Sequence, residues 1–185
     1  MLGTSNEIRN PGLRTLPPGV ERYFVKGGGL SVIEVFPEDK IEIINDDGKQ
    51  ISEIIVFNSN GKPDLSILNL KENANADFSK RAIAKDEKIS NIFKKRNLDL
   101  QKAKSSIIFD EDCLMGDKIT LSSKDKCFVL IAAPGSPLNV HEQNPPTDLT
   151  VFINRAKFSE TDEQFILPDP LSDPIVEQLV KRRTA

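Results

Sequence analysis

Apolar and polar residues alternate in short runs through the first third of the chain. Lys40-Ile41-Glu42-Ile43-Ile44-Asn45 sets Ile41 and Ile43 on one face of an extended segment, the two-residue period of a half-buried strand. Arg22-Tyr23-Phe24-Val25 and Leu30 to Phe36 read the same way, with Gly27-Gly28-Gly29 between them and Pro37-Glu38-Asp39 as the next turn. Ile51 to Phe57 is almost continuously apolar, as a largely buried strand should be. Before it stands Asn45-Asp46-Asp47-Gly48, residues that tolerate the positive φ of a tight hairpin. Glu21 to Asn58 is therefore expected to form a β-meander.

The pattern changes between Asn73 and Asn97. Ile83, Ile89, Ile92 and Phe93 recur near a 3.6-residue period with lysines filling the other positions, which predicts one helix centred on Ser79 to Arg96. Strand patterning returns at Ser105 to Phe109, Lys118 to Leu121, Cys127 to Ala133 and Leu149 to Asn154. About eight strands with one inserted helix predict a mainly β fold, a barrel or a sandwich. Residues 1–19, with Asn10-Pro11-Gly12 and Leu16-Pro17-Pro18-Gly19, read as an N-terminal arm, and residues 20–155 as the β-rich domain. Residues 156–185 carry Pro168, Pro170 and Pro174 and read as an extended linker or wrapping tail, with at most a short helix over Ile175 to Lys181.

Composition narrows the class of molecule without choosing a chemistry. With 38% hydrophobic and 29% charged residues the chain is not disordered throughout. Twenty-five basic against 28 acidic residues exclude a general electrostatic nucleic-acid binder. No apolar run approaches a membrane span, and Met1 to Asn10 lacks the apolar stretch of a secretory signal. Two cysteines are too few for a disulfide framework, so the expected compartment is the cytoplasm.

The candidate chemistry is thin. His141 is the one histidine, and Cys113 and Cys127 form no CxxC pair, so no metal site is expected. Leu114 stands where an EF-hand loop starting in Asp110-Glu111-Asp112 would need a third oxygen ligand. The same acidic run flanks Cys113, which could be exposed there, and nearby negative charge makes a thiol less ready to ionise. Cys127 opens an apolar strand and reads as a small buried hydrophobe. The three consecutive glycines precede a strand rather than a helix, so they read as a turn and not a phosphate cradle. Lys80, Lys85, Lys88, Lys94 and Lys95 read as a solvated helix face. One loop, Asn139 to Asp148, gathers polar side chains between two core strands. Asn144, Thr147 and Asp148 could hold that loop in place, the commoner use of such residues near prolines, or touch a ligand.

Two stretches together resemble a known family. Gly48-Lys49-Gln50-Ile51-Ser52-Glu53-Ile54-Ile55-Val56-Phe57-Asn58, followed by Leu65-Ser66, is similar to the G-x-Q-x-x-D-x-x-x-F-N…L-S signature of the urea-carboxylase-associated family. Leu16-Pro17-Pro18-Gly19 with Phe24-Val25-Lys26-Gly27 resembles its opening, and Gln143-Asn144-Pro145-Pro146-Thr147-Asp148-Leu149-Thr150-Val151-Phe152-Ile153 its closing strand. That ending is most like the N-terminal extension of glycine-cleavage T-like aminomethyltransferases, which use tetrahydrofolate. The chain departs from the family at Glu53, where an Asp is usual, and in Lys71 to Lys104, which holds no His or Cys. Deiminase chemistry is therefore not carried over.

The resemblance implies a non-catalytic accessory or small-ligand-binding domain, acting with an aminomethyltransferase-like domain in cis or in trans. Glu53, Asn58, His141, Asn144, Thr147 and Asp148 are the expected ligand-binding positions. A carboxylate such as Glu53 would pair with the cationic nitrogen of a small amine or amide, provided that it shares a cavity with the 141–148 loop. No cofactor is expected in this chain, and tetrahydrofolate would belong to the fused or partner domain; neither nucleic acid nor membrane is an expected partner. Two alternatives stand beside this reading: a hydrolase or deiminase-type subunit using Cys113 and His141, and a dimerisation module forming a homodimer.

Overall fold

The computed structural model describes residues 16–110, 112–134 and 146–157. Most of the expected arm and tail, and the suggested helix over Ile175 to Lys181, lie outside the described residues. Eight strands form: β1 (Val20–Val25), β2 (Leu30–Val35), β3 (Lys40–Asn45), β4 (Ser52–Asn58), β5 (Ser106–Ile108), β6 (Lys118–Ser122), β7 (Cys127–Ala132) and β8 (Leu149–Asn154). They make two four-stranded sheets in the orders β1-β8-β3-β6 and β2-β7-β4-β5, with all the pairings antiparallel. This is a sandwich of jelly-roll type.

The expected meander is not what forms. Strands β1 to β4 alternate between the two sheets, so β3 and β4 do not pair and Asn45 to Gly48 is a crossing between layers rather than a hairpin. The reason lies in the partners. Both β1 and β3 pair with β8 along its whole length, which places β8 between them in the first sheet.

Alternation within each strand then builds the core. Tyr23, Val25, Ile41, Ile43, Val151 and Ile153 of the first sheet face Ile33, Val35, Ile54, Val56, Val129 and Ile131 of the second. The second sheet is also covered on its outer face, where Ile55, Phe57 and Leu130 pack on Ala76, Ile83, Phe93 and Leu98. Strand β4 is therefore buried from Ser52 through Phe57, which is why its sequence shows no polar alternation. Phe57 meets the edge of Phe93 with ring centroids 5.9 Å apart, a geometry that adds about 0.5–1.5 kcal/mol to the area buried.

The covering layer holds two helices, α1 (Asp77–Lys85) and α2 (Glu87–Lys95), where the sequence predicts one. Asp86 divides them. It adopts extended backbone angles, and its carboxylate accepts hydrogen bonds from the N–H groups of Lys88 and Ile89. This N-cap starts α2 afresh. The break lets Ile83 and Phe93 both reach the sheet.

Candidate functional site

One end of the sandwich gathers much of the polar material. Here β1 and β3 finish and β8 begins, since Val25 and Asn45 both pair with Leu149. The turn after β1 is tied to the approach to β8: Asp148 accepts from the Gly27 N–H at 2.9 Å and from Lys26 Nζ at 2.9 Å. The Gly27 N–H and then the Lys26 ammonium hold the Asp148 carboxyl below the usual range. Next to it, Thr147 donates its backbone N–H to Gln50 Oε1 at 2.8 Å. The three glycines form the expected turn. Gly28 adopts φ +78, and a Cβ on Gly27 would overlap the Pro146 carbonyl.

Glu53 sits elsewhere. It faces the helical layer, 4% exposed, and its Oε1 accepts from both the backbone N–H and the hydroxyl of Ser79 in the first turn of α1. Helix α1 has no side-chain cap of its own, because Ala76 precedes it. Glu53 fills that role from the sheet, satisfying one of the N–H groups that a helix start leaves open. Asn58 closes the turn after β4, its Oδ1 accepting from the N–H groups of Asn60 and Lys62. Glu53, Asn58 and the Thr147–Asp148 pair thus occupy three separate hydrogen-bonding groups, while His141 and Asn144 lie outside the described residues. Replacing Glu53 by Gln is expected to cost about 1–2 kcal/mol, the range of a lost N-cap. Urea unfolding would measure it, and an unchanged midpoint would free Glu53 from a structural role.

Both cysteines are buried free thiols. Cys127 conforms to expectation, and burial pushes its thiol up to about 11. Cys113, whose acidic flank could have left it at the surface, is 9% exposed. The turn it belongs to folds back over Gly48, and Asn45 Nδ2 donates to its sulfur at 2.8 Å. Burial, reinforced by the charges of Asp117 and Asp110, raises its pKa against two opposing backbone N–H groups, so the neutral thiol is favoured. Among the described residues no three His, Cys, Asp or Glu side chains are grouped to hold a metal ion.

Sequence reasoning missed the most strongly charged cluster. At the opposite end of the sandwich Arg155, 4% exposed at its side chain, holds Glu21 with two bonds, Nε to Oε1 at 2.8 Å and Nη2 to Oε2 at 2.7 Å. Its Nη1 reaches Asp39 Oδ2 at 2.6 Å and the Glu34 carbonyl at 3.0 Å. Tyr23 donates its hydroxyl to Glu21, and Asp39 also accepts from the N–H groups of Phe36 and Ala156. Burial opposes the Arg155 charge, but the bonds and charge of Glu21, then Asp39, outweigh it and raise the pKa. Alternation hinted at one member: Glu21 shares a face with Tyr23 and Val25.

A cleft of about 290 Å³ opens between the glycine turn and the junction of the helices, lined by Phe24, Lys26, Gly28, Leu30, Asp86 and Ile89 among others. No helix among the described residues is long and apolar enough to cross a membrane.

The chain is similar to a trimethylamine-oxide aldolase of Ruegeria pomeroyi, with 31% identity over 182 residues. The match covers 96% of this chain and 23% of the relative, so the chain spans about a quarter of that protein's length. No protein-family model matches the chain.

Proposed function

We propose that this sandwich is a non-catalytic accessory module of methylated-amine metabolism, working with an aminomethyltransferase-like domain in cis or in trans. The observation that carries the reading is the likeness, along nearly the whole chain, to a quarter of a trimethylamine-oxide aldolase. The urea-carboxylase-associated motifs in Gly48 to Asn58 and Gln143 to Ile153 point to the same kind of module. The geometry supports a positioning role rather than chemistry: Glu53, Asn58, Thr147 and Asp148 each hold the fold together, and burial keeps both thiols in the neutral form. Tetrahydrofolate would be handled by the partner domain.

The purified chain is expected to release no formaldehyde from trimethylamine N-oxide, and to co-sediment with an aminomethyltransferase-like protein from the same organism. Formaldehyde release by the chain alone, lost on Cys113→Ala or His141→Ala, would replace this reading with the enzymatic one. Failure to bind any such protein would remove the accessory role in trans.

A further inference from the structure

Leu114 and Met115 are large apolar side chains left in water, 71% and 76% exposed. They crown the turn before β6, and that turn is held firmly. Lys49 N donates to the Cys113 carbonyl at 2.9 Å, Gly116 N to the Asn45 carbonyl at 2.7 Å, and Leu114 N to Asp117 Oδ2 at 2.7 Å. A fixed apolar pair is a better contact element than a mobile one, because little side-chain or loop freedom is lost on docking. Exposed Asp47, Asp110, Asp112 and Asp117 surround it in the two turns.

The cleft has the complementary character. Phe24, Leu30, Ala82 and Ile89 set apolar side chains among the polar groups of its lining, and Lys85 and Lys88, with Glu87 between them, flank its Asp86 and Ile89 in sequence, both lysines exposed and in no ion pair among the described residues. The charge asymmetry extends further. Residues 71–104 hold ten basic side chains against five acidic, and the rest of the chain holds fifteen against twenty-three.

Placement decides who the partner is. The turn carrying Leu114 lies beyond the first residue of β6, at one edge of the first sheet, and the cleft lies beyond the last residue of β1, at the other edge of the same end. Three strand spacings, roughly 14 Å, separate those edges. Two copies meeting at this end about a two-fold axis bring each turn against the other's cleft. Both contacts form at once and the assembly closes.

We propose that the end of the sandwich bearing Leu114, Met115 and the Lys26–Asp86 cleft is a two-fold homodimer interface, with the acidic apolar turn of one copy seated in the cation-flanked cleft of the other. Sedimentation velocity of the 185-residue chain should show a dimer at about 0.05 M salt and a shift toward monomer at about 0.5 M, where surface charges are screened within a few ångströms. Leu114→Ser with Met115→Ser should weaken association at least tenfold, as should Lys85→Glu with Lys88→Glu. All four side chains are exposed, so these variants should keep the wild-type melting point. Mixing the lysine variant with Asp47→Lys/Asp112→Lys should restore a dimer that neither forms alone. A monomer at every salt concentration, or a dimer indifferent to both pairs of substitutions, overturns the proposal.

Discussion

Arg155→Met is expected to destabilise the sandwich by about 3–5 kcal/mol, the usual penalty for removing one side of a buried ion pair. Three features set that size. The side chain is 4% exposed, its two carboxylate partners are 1% and 2% exposed, and water cannot reach them without opening the end of the sandwich. Removing the guanidinium leaves Glu21 and Asp39 facing each other with no cation between them. Arg155→Lys should recover only part of the loss, since an ammonium cannot make the two parallel bonds to Glu21 while also reaching Asp39 and the Glu34 carbonyl. The double variant Arg155→Met/Glu21→Gln should be more stable than Arg155→Met alone, because one stranded charge is gone. Urea unfolding of the three variants reads these differences. A cost below about 1 kcal/mol for Arg155→Met would place the cluster among solvated surface pairs instead.

At the other end, Gly27→Ala should cost about 1–3 kcal/mol, in the range of overpacking. The new methyl would lie 2.8 Å from Thr147 N and closer still to the Pro146 carbonyl. Both obstacles are backbone, so one of the two segments must move. The Asp148 bond to the Gly27 N–H is the first contact such a movement breaks. Gly28→Ala is the control. Its Cβ would meet nothing nearer than 3.9 Å, so its cost comes from φ +78 alone, about 1–2 kcal/mol for a residue with a Cβ. The distinction is visible in amide hydrogen exchange: Gly27→Ala should expose the N–H of residue 27 and that of Thr147, and Gly28→Ala should leave Thr147 protected. Equal protection of Thr147 in both would sink the account of Gly27 as a contact glycine.

The strands were legible in the sequence because burial writes itself into alternation, and Ile41, Ile43, Val151 and Ile153 needed nothing beyond their own neighbours to be placed. Their assignment to sheets was not legible. A strand with one apolar face packs as well in either layer, and Asn45-Asp46-Asp47-Gly48 serves a crossing with the same residues that would serve a hairpin. The helical layer was half legible. The apolar spacing of Ile83, Ile89, Ile92 and Phe93 announced it, but Asp86 looked like one more surface charge until its carboxylate met the start of α2.

The candidate site was harder still, for the same reason each time: its partners are remote in sequence. Glu53 stands in a motif, yet what it does depends on Ser79, 26 residues later. Arg155 and Glu21 are separated by 134 residues. Asp148 was singled out with its two possible uses side by side, and its bonds to Gly27 and Lys26 across 121 and 122 residues show it holding the loop's end in place. Polar composition can nominate such residues, but only topology can introduce them to each other.

The buried arginine also brings the two sides of the described sandwich together. Arg155 N donates to the Gly19 carbonyl, and Val20 pairs with Asn154, so the polypeptide comes in and goes out through a single doorway fastened by one guanidinium. A domain spliced on at either side of the sandwich would therefore hang from the same hinge point.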